Sequence, residues 1–309
     1  MKITKAYAPA SVGNIGPGFD VLGMAVTGLG DTVTAEKIRE REVVIREVKG
    51  GNGTIPLESD RNTAGIAATE VLKLLKVKQG VMLKVEKNIP GTGLGSSAAS
   101  AVAAAVAVNA LFGNKLDREE LIAPCGAAER SVSGGMFIDN VAASLFGGII
   151  VSHSTLRKAF SIGTLPELTV VLVTPGHSVL TKISRAVLPD KVPMDLVVAN
   201  MASTAMMVFA VAGRNARLFG TSIQDVIVEP ARAHLIPGFL EVKQAALKAG
   251  ALGSSISGAG ATVFAVTDKK THARRIGLAM QKVFEQHGIS SVMMLSKIDA
   301  RGARVLSAK

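Results

Sequence analysis

The residues that could do chemistry are most concentrated at positions 90–100, which read Pro-Gly-Thr-Gly-Leu-Gly-Ser-Ser-Ala-Ala-Ser. Three glycines at alternate positions let the backbone turn tightly and approach an anion closely. The two serines behind them open a predicted helix, whose free N–H groups and dipole favour phosphate, and a serine hydroxyl there can bind the Mg²⁺ of a nucleotide. No lysine follows as in a Walker A loop, and the third glycine comes too early for a dinucleotide fingerprint. The motif predicts a phosphate-binding loop, and a glycine turn that merely caps a buried helix is the alternative.

Two other glycine-rich segments support this prediction. Residues 8–20 read Ala-Pro-Ala-Ser-Val-Gly-Asn-Ile-Gly-Pro-Gly-Phe-Asp, and residues 253–262 read Gly-Ser-Ser-Ile-Ser-Gly-Ala-Gly-Ala-Thr, just before a predicted strand. Binding residues are concentrated on loops at the ends of regular elements. Each segment alone is more typical of a turn than of a site, so it is the combination that indicates a site.

The formal net charge of +11 raises the question of a nucleic-acid partner, because Lys and Arg neutralise backbone phosphates. The basic residues are scattered, however, with short pairs such as 269–270 and 274–275. The chain has ten Phe, one Tyr and no Trp, so few rings are available for base stacking. A basic surface that attracts anionic nucleotides and metabolites explains the charge equally well, and we expect no nucleic-acid partner.

The single cysteine, Cys125, excludes an internal disulfide and a zinc site built from cysteines, and we expect it to be a small buried residue in or beside a helix. The charged N-terminus has no apolar segment behind it, so no signal peptide is expected. The longest stretch of small apolar residues, 98–112, falls short of the roughly 20 residues of a membrane span. We therefore expect a cytoplasmic protein without a membrane partner.

Strands and helices alternate in both halves of the chain, which predicts two lobes of α/β or α+β type. A strand at 81–86 and a helix at 96–111 flank the phosphate loop, and a second helix at 118–130 has Asp117 as its candidate N-cap. The other predicted elements are strands at 147–153, 168–174, 261–266 and 291–295, a helix at 271–287, and a mainly helical region at 193–247 interrupted at Gly220, Pro230 and Pro237. We place the boundary between the lobes at residues 154–165.

The three glycine-rich segments together resemble the superfamily of galactokinase, homoserine kinase, mevalonate kinase and phosphomevalonate kinase, over nearly the whole chain. The resemblance implies an α+β protein of two domains with the active site between them. It places an ATP-binding domain at 1–160, with a fold also found in one domain of a small-subunit ribosomal protein, and a ferredoxin-like domain at 161–309.

Within this superfamily the sequence is most similar to the homoserine kinase family, through segments 8–20, 139–148, 181–189 and 225–239. The resemblance implies ATP-dependent phosphorylation of the hydroxyl of L-homoserine in threonine biosynthesis, with ATP and Mg²⁺ as cofactors. Three alternatives stay open: a kinase of another small hydroxylated metabolite, a non-catalytic metabolite sensor on the same scaffold, and an RNA-binding relative. The oligomeric state is also open, with a homodimer as one option.

The resemblance also implies roles for individual residues. ATP binding is assigned to Asn62, which matches the position that meets the adenine, and to the loop residues Pro90, Gly91, Gly93, Leu94, Gly95, Ser96, Ser97 and Ser100. Mg²⁺ binding is assigned to Ser97 and Glu129, because a hard cation takes oxygen ligands. Substrate binding is assigned to Asn14, Asp20, Asp139, Asn140, Thr181, Arg185 and Arg232, and catalysis to Asp20, Asn140, Arg185 and Arg232.

The two arginines suit the carboxylate of an amino acid, because a guanidinium pairs with a carboxylate bidentately. Asp20 is the best-placed candidate to take the proton of the acceptor hydroxyl, although its first assignment is substrate binding. Each residue also has an ordinary alternative: Asn62 could merely cap a helix, and Glu129 could be an exposed carboxylate beside a basic neighbour.

The sequence departs from the homoserine kinase pattern at three positions. Phe137 stands where the pattern usually has a histidine, and Ala143 and Ala261 stand where proline is common. Phe137 matters most, because it removes a polar contact from the expected acceptor site. We expect the departure at Phe137 to have no effect on ATP binding, and to affect which acceptor substrate the site binds.

Overall fold

The computed structural model describes residues 2–53, 55–90 and 92–309. Among them, eleven strands form two sheets. The first sheet has the order β11-β1-β2-β4-β3, with β5 pairing β2 and β6 pairing β5. Its strands are β1 (Ile3–Gly13), β2 (Leu22–Ile38), β3 (Val43–Lys49), β4 (Gly80–Glu86), β5 (Ile149–His153), β6 (Lys158–Gly163) and β11 (Arg304–Ala308).

The second sheet has four strands in the order β10-β7-β9-β8, paired antiparallel throughout. They are β7 (Thr169–Pro175), β8 (Gly253–Ile256), β9 (Val263–Thr267) and β10 (Ser291–Ser296). The predicted boundary at residue 160 falls inside β6, which belongs to the first sheet, and β11 returns to that sheet from the far end of the chain. Sheet membership therefore follows chain order except at the last strand.

Four helices accompany the first sheet: α1 (Thr63–Leu75), α2 (Ser96–Leu111), α3 (Ile122–Ser133) and α4 (Asp139–Phe146). Helix α2 contacts β1, β2, α1, α3 and α4, so nearly all of its residues are buried. A helix that is covered on all sides must be apolar all round, and its eight alanines let these neighbours approach closely. The structure confirms the predicted strand before the phosphate loop and the helix behind it.

Six further helices follow: α5 (Thr181–Ala186), α6 (Met194–Ala212), α7 (Ala216–Thr221), α8 (Val228–Arg232), α9 (Phe239–Lys248) and α10 (Lys270–Gln286). Helices α9 and α10 pack on the second sheet. The predicted interruption at Gly220 agrees to within one residue with the end of α7 at Thr221, and Pro237 lies between helices, whereas Pro230 lies inside α8, so the interruption predicted there is wrong. Pro230 is tolerated in the first turn of α8, where its missing N–H needs no partner. Gly220 is packed closely against the second sheet, since a Cβ at this position would lie only 2.4 Å from Leu252 Cβ.

The prediction that α3 begins at residue 118 is also wrong, since α3 begins at Ile122. Asp117 accepts a hydrogen bond from Glu120 N at 2.8 Å, so it caps the turn before the helix rather than the helix itself. Pro124, at the third helical position, fits a start at Ile122, because the first N–H groups of a helix have no partner within it. Cys125 is buried in α3, as predicted.

Helix α6 is an apolar segment that the sequence analysis overlooked. An 18-residue window of this 19-residue helix has a mean hydropathy of 1.6, so by length and composition the helix is apolar enough to cross a membrane. It is also poorly covered, with 22% of the residues in that window buried.

Candidate active site

The phosphate loop connects β4 to α2, and its conformation requires glycine. Gly93 and Gly95 have φ angles of 90° and 64°, in the left-handed region that other residues avoid. A Cβ on Gly93 would lie 2.5 Å from Ser257 O, and one on Gly95 would lie 2.3 Å from Ser11 Oγ. Gly91 lies outside the described residues. The loop therefore opens α2 with bare backbone at the place where the dipole of α2 favours an anion.

A buried ion pair that the sequence analysis missed anchors this loop. Asp31 on β2 lies 3.0 Å from the ammonium of Lys87, and both side chains are buried. Asp31 also accepts hydrogen bonds from Ser96 Oγ at 3.1 Å and Ser100 Oγ at 2.7 Å, and from the amides of residues 88 and 89. The hydroxyl of Ser100 is thus committed to Asp31 and Lys87, so it positions the loop in this structure rather than facing a ligand.

Replacing Asp31 by asparagine is expected to lower the free energy of unfolding by about 2 kcal/mol, because the buried Lys87 ammonium loses its carboxylate. Denaturant unfolding at neutral pH measures the change. Asp190→Asn, at an exposed position, is the control and is expected to stay within about 0.5 kcal/mol of the unmodified protein. Equal stabilities of the two variants would contradict the anchoring role.

The glycine-rich segment at 253–262, which lies next to strands of the second sheet, makes hydrogen bonds to the phosphate loop. Ser257 Oγ donates to Gly93 O at 2.5 Å, Thr262 Oγ1 donates to Thr92 O at 2.6 Å, and Ala261 N donates to Thr92 Oγ1 at 2.9 Å. The first segment joins them, because Asn14 Nδ2 donates to Gly258 O at 2.9 Å. The three segments at 8–20, 90–100 and 253–262 therefore meet in one place, although Gly93 and Ser257 are 164 residues apart in the sequence.

A cavity of about 240 Å³ opens where these segments meet. Twelve of the predicted site residues line it: Asn14, Asp20, Gly93, Gly95, Ser96, Ser97, Glu129, Asp139, Asn140, Thr181, Arg185 and Arg232. Four other predicted residues are outside its lining: Asn62, Pro90, Leu94 and Ser100. The cavity thus holds every predicted substrate-binding residue beside the phosphate loop.

Asn62 is the N-cap of α1. Its side-chain oxygen accepts a hydrogen bond from Ala64 N at 3.0 Å, and its amide nitrogen donates to Pro56 O at 2.8 Å. The residue is buried, and both ends of its amide are engaged within the protein. Its contact with adenine stays a prediction.

Three carboxyl groups face the cavity in different environments. Burial raises the pKa of Asp139 to about 6, with a further contribution from the Asp20 carboxylate. Burial raises the pKa of Glu129 to about 7, and the Asp139 carboxylate adds to this effect. Asp139 Oδ2 accepts hydrogen bonds from Asn14 N at 3.3 Å and Asn140 Nδ2 at 3.2 Å, so it orients these two asparagines. A cation bound beside Glu129 and Asp139 would relieve the crowding of negative charge.

Two arginines also line the cavity. Arg185 pairs bidentately with Asp20, with nitrogen–oxygen distances of 2.7 and 3.1 Å, and its Nε is buried without a hydrogen-bond partner. Arg232 is almost fully buried and donates to Ser184 O and Gly258 O, both at 3.0 Å. Burial lowers the pKa of Arg232 to about 10, and the neighbouring Arg185 adds to this effect. Among the described residues Arg232 has no ion-pair partner, so this wall can accept a carboxylate.

Phe137, one of the three residues that depart from the homoserine kinase pattern, stacks on Arg185. The guanidinium carbon lies 3.3 Å from the centre of the Phe137 ring. Phe19, which the sequence analysis did not single out, lies 5.3 Å from the same carbon of Arg185 and 5.1 Å from that of Arg232. The aromatic face attracts the planar cation and limits its orientations, so Phe137 provides stacking where a histidine would provide a polar contact.

Comparisons with known proteins agree with this arrangement. The family model "GHMP kinases N terminal domain" matches residues 62–148, and "GHMP kinases C terminal" matches residues 207–286. The crystal structure of mevalonate kinase superposes with a TM-score of 0.71 over 96% of this chain and 99% of that one, at 15% identity, so it shows the fold alone.

More similar proteins are homoserine kinases. That of Arabidopsis thaliana is 43% identical over 98% of this chain and 84% of its own length, and that of Chloroherpeton thalassium is 36% identical over 99% and 100%. The crystal structure of homoserine kinase from Cytophaga hutchinsonii has a TM-score of 0.94 and 37% identity, covering 99% of this chain and 98% of that one. The chain belongs to the GHMP kinases and, within them, to the homoserine kinase family. The predictions of family, of the two-domain α+β fold and of a kinase are confirmed.

Proposed function

We propose that the protein transfers the γ-phosphoryl group of ATP to the side-chain hydroxyl of L-homoserine, producing O-phospho-L-homoserine and ADP. One observation carries the proposal beyond the name of the family. A phosphate loop and a pair of arginines line the same cavity, and Arg232 is buried without a carboxylate partner among the described residues. A phosphoryl donor would bind at the phosphate loop of this cavity, and the carboxylate of an amino-acid acceptor would bind at the two arginines.

The pair of Asp20 and Arg185 fits the two charges of an amino acid. In the structure the carboxylate of Asp20 and the guanidinium of Arg185 form an ion pair. An amino acid that enters between them offers its carboxylate to Arg185 and Arg232 and its ammonium to Asp20, so both protein charges exchange one partner for another. The buried Nε of Arg185 has no hydrogen-bond partner, which supports this exchange because a movement of the side chain away from Asp20 would let Nε donate to the carboxylate. Asn14 and Asn140 also line the cavity, and they would orient the hydroxyl.

ATP binding is supported by the backbone around Gly93–Ser97 and by the start of α2, where free N–H groups favour the phosphates. The site also fits Mg²⁺, whose role here is to neutralise charge on the transferring phosphates. Within the described part of the chain no three acidic, His or Cys side chains form a metal site by themselves. This agrees with a cation that takes one carboxylate (Glu129), one hydroxyl (Ser97), and its remaining oxygens from phosphates and water.

The proposed mechanism relies on positioning. The loop amides and the helix dipole stabilise the charge that develops on the phosphoryl oxygens, and Arg185 and Arg232 hold the acceptor in line. Asp20 contacts Arg185 and lines the cavity, so it is the candidate to take the hydroxyl proton. We further propose that the enzyme works in the cytoplasm, in threonine biosynthesis.

A panel of acceptors tests the proposal. Release of ADP should depend on both L-homoserine and Mg²⁺, and should be much weaker with L-threonine, pantoate, shikimate or mevalonate. Release with one of these compounds and none with L-homoserine would overturn the acceptor and keep the kinase. ATP binding in calorimetry with no turnover of any acceptor would instead favour a metabolite sensor, and RNA binding that ATP does not displace would favour the RNA-binding alternative.

Phe137 should affect the acceptor and not the nucleotide. Replacing Phe137 by alanine is expected to raise the KM for L-homoserine by about 3- to 10-fold, because Arg185 loses the ring that orients it. The KM for ATP serves as the internal control and should not change. Phe137→Tyr keeps the ring and should restore the KM, whereas a KM for homoserine unchanged in Phe137→Ala would contradict the stacking role.

A further inference from the structure

Two carboxylates of the segment that carries Arg232 lie near this arginine without pairing with it. Asp225, Glu229 and Arg232 all line a second, small cavity of about 10 Å³. All three residues are buried. Buried opposite charges usually form ion pairs, because an unpaired buried charge is costly. In the part of the chain that the structure describes, however, neither carboxylate forms an ion pair with Arg232.

Asp225 is engaged by N–H groups at the start of α8. Its Oδ1 accepts hydrogen bonds from the backbone of residues 227 and 228 at 3.0 and 2.9 Å, and from Asn200 Nδ2 at 3.1 Å. Its Oδ2 accepts a hydrogen bond from Glu229 N at 2.9 Å. The first N–H groups of a helix have no partner within it, so α8 depends on this carboxylate. Asp225 is therefore not available to the arginine.

Glu229 is engaged on both of its carboxylate oxygens by other elements. Oε1 forms an ion pair with the ammonium of Lys243 on α9, and Oε2 accepts a hydrogen bond from Ser255 Oγ on β8 at 2.5 Å. Only 7% of the Glu229 side chain and 19% of the Lys243 side chain are exposed. Burial raises the pKa of Glu229, so its charged form depends on these two partners.

The position of Glu229 on α8 also places it within reach of Arg232. The two residues are three apart in this helix, and opposite charges at that spacing usually attract each other. The guanidinium of Arg232 donates to two neutral acceptors, Ser184 O and Gly258 O. Among the described residues that line the small cavity, Arg232 is the one cation. Without Lys243, the Glu229 carboxylate would therefore turn to Arg232.

We propose that Lys243 holds the carboxylate of Glu229 away from Arg232 and so keeps this arginine free for the carboxylate of the acceptor. The inference rests on the proposed function, because it takes L-homoserine as the ligand of Arg232. An internal carboxylate on Arg232 would compete with the acceptor, since the fraction of protein that is competent to bind sets the apparent affinity. Lys243 is thus a positioning residue, which acts on the acceptor site through Glu229.

The arrangement also accounts for the presence of two buried charges outside the main cavity. A buried ion pair is often no more stabilising than two well-packed apolar side chains, so stability alone does not explain it. Glu229 connects α8 to β8 through Ser255 and to α9 through Lys243. This connection uses a carboxylate next to the arginine of the acceptor site, and Lys243 prevents the two from pairing.

The KM for L-homoserine tests the proposal. Lys243→Met should raise it about 10- to 30-fold, with a change of less than about threefold in the KM for ATP, because Glu229 then occupies Arg232. Adding Glu229→Gln removes the competing charge and should return the KM to within about threefold of the unmodified value. Lys248→Met, the same substitution at an exposed position of α9, is the matched control and should change neither KM.

A comparison of KM with kcat separates competition from a loosened fold. Saturating L-homoserine displaces an internal competitor, so the kcat of Lys243→Met should stay within about twofold of the unmodified value. Damage to the fold would lower kcat as well. An unchanged KM for homoserine in Lys243→Met, a fall of about tenfold or more in its kcat, or a double variant no better than Lys243→Met would each overturn the proposal.

A crystal structure of Lys243→Met without acceptor tests the inference whatever the acceptor is. It should place a carboxylate oxygen of Glu229 within about 4 Å of the Arg232 guanidinium, whereas a Glu229 that stays at Ser255 would overturn the inference. If the unmodified chain does not phosphorylate L-homoserine, the proposed function fails, and this structure still decides the inference. Lys243→Gln, which removes the charge but can still donate a hydrogen bond, replaces Lys243→Met if that variant does not fold, with the same outcomes for and against.

Discussion

Replacing Glu129 by glutamine should abolish most of the kinase activity while making the ligand-free protein more stable. The rate should fall at least about 100-fold in kcat, because the metal loses the one carboxylate assigned to it and keeps only the hydroxyl of Ser97 as an assigned protein ligand. The same change removes a carboxyl group that the fold holds in an unfavourable place, where burial and Asp139 raise its pKa to about 7. If Glu129 served the structure alone, its substitution would lower the free energy of unfolding of the protein rather than raise it.

The gain in stability should depend on pH in one direction. The folded protein holds the Glu129 proton up to about pH 7, whereas the unfolded chain releases it near the ordinary value of 4.5. Between these values the unfolded state binds fewer protons than the folded state, so this group lowers the stability as the pH rises and its full penalty is present above about pH 7. Glu129→Gln should therefore match the unmodified protein near pH 4.5 and exceed it by about 1–3 kcal/mol near pH 8.

Denaturant unfolding in a metal chelator, repeated at several pH values, measures this difference. Glu119→Gln, at an exposed position close to the start of α3, is the matched control and should show no pH-dependent gain. Full activity of Glu129→Gln would contradict the metal assignment. A loss of stability at pH 8 would contradict the account of its burial.

The phosphate loop and the helix behind it could be predicted because their signals are local. Alternating glycines followed by serines and a long run of alanines specify a turn and a buried helix within about 20 residues, and the structure has α2 at the predicted bounds. The error in the 193–247 region concerns Pro230. A proline was expected to interrupt the helices there, but Pro230 lies in the first turn of α8, where its missing N–H needs no partner.

The parts of the site that the sequence did not reveal depend on contacts between distant segments. In the sequence Asp31 looks like an ordinary acidic residue of a strand. It anchors the phosphate loop through hydrogen bonds from Ser96 and Ser100, which are 65 and 69 residues away. Phe137 could be noticed as a departure from a pattern, but its stacking on Arg185 depends on the way α5 packs against α3. Helix α6 was expected to be one part of a helical region, and its exposed face follows from which side the lobe covers. Tertiary arrangement decides all three, and a single sequence carries little signal for it.

Replacing Arg232 by alanine should affect the acceptor far more than the nucleotide. Arg232 is buried beside Arg185 and has no ion pair among the described residues, so the carboxylate of homoserine would be its first charged partner. Loss of a buried, charge-assisted contact of this kind should raise the KM for L-homoserine by about 100- to 1000-fold, with a change of less than about threefold in the KM for ATP. Arg232→Lys should recover part of the loss, because an ammonium keeps the charge but cannot bind a carboxylate bidentately.

A truncated acceptor separates carboxylate binding from general damage to the site, since Arg232 also donates to Ser184 O and Gly258 O. 3-Amino-1-propanol is homoserine without its carboxylate, so the unmodified enzyme should use it poorly. Arg232→Ala should use it about as well as the unmodified enzyme does, because the lost contact was never made. 4-Hydroxybutyrate, which lacks the ammonium, is the matched control, and Arg232→Ala should still impair its use. If Arg232→Ala lowered turnover of both truncated acceptors equally, Arg232 would be shaping the cavity and not binding the carboxylate, and the basis for choosing an amino-acid acceptor would be lost.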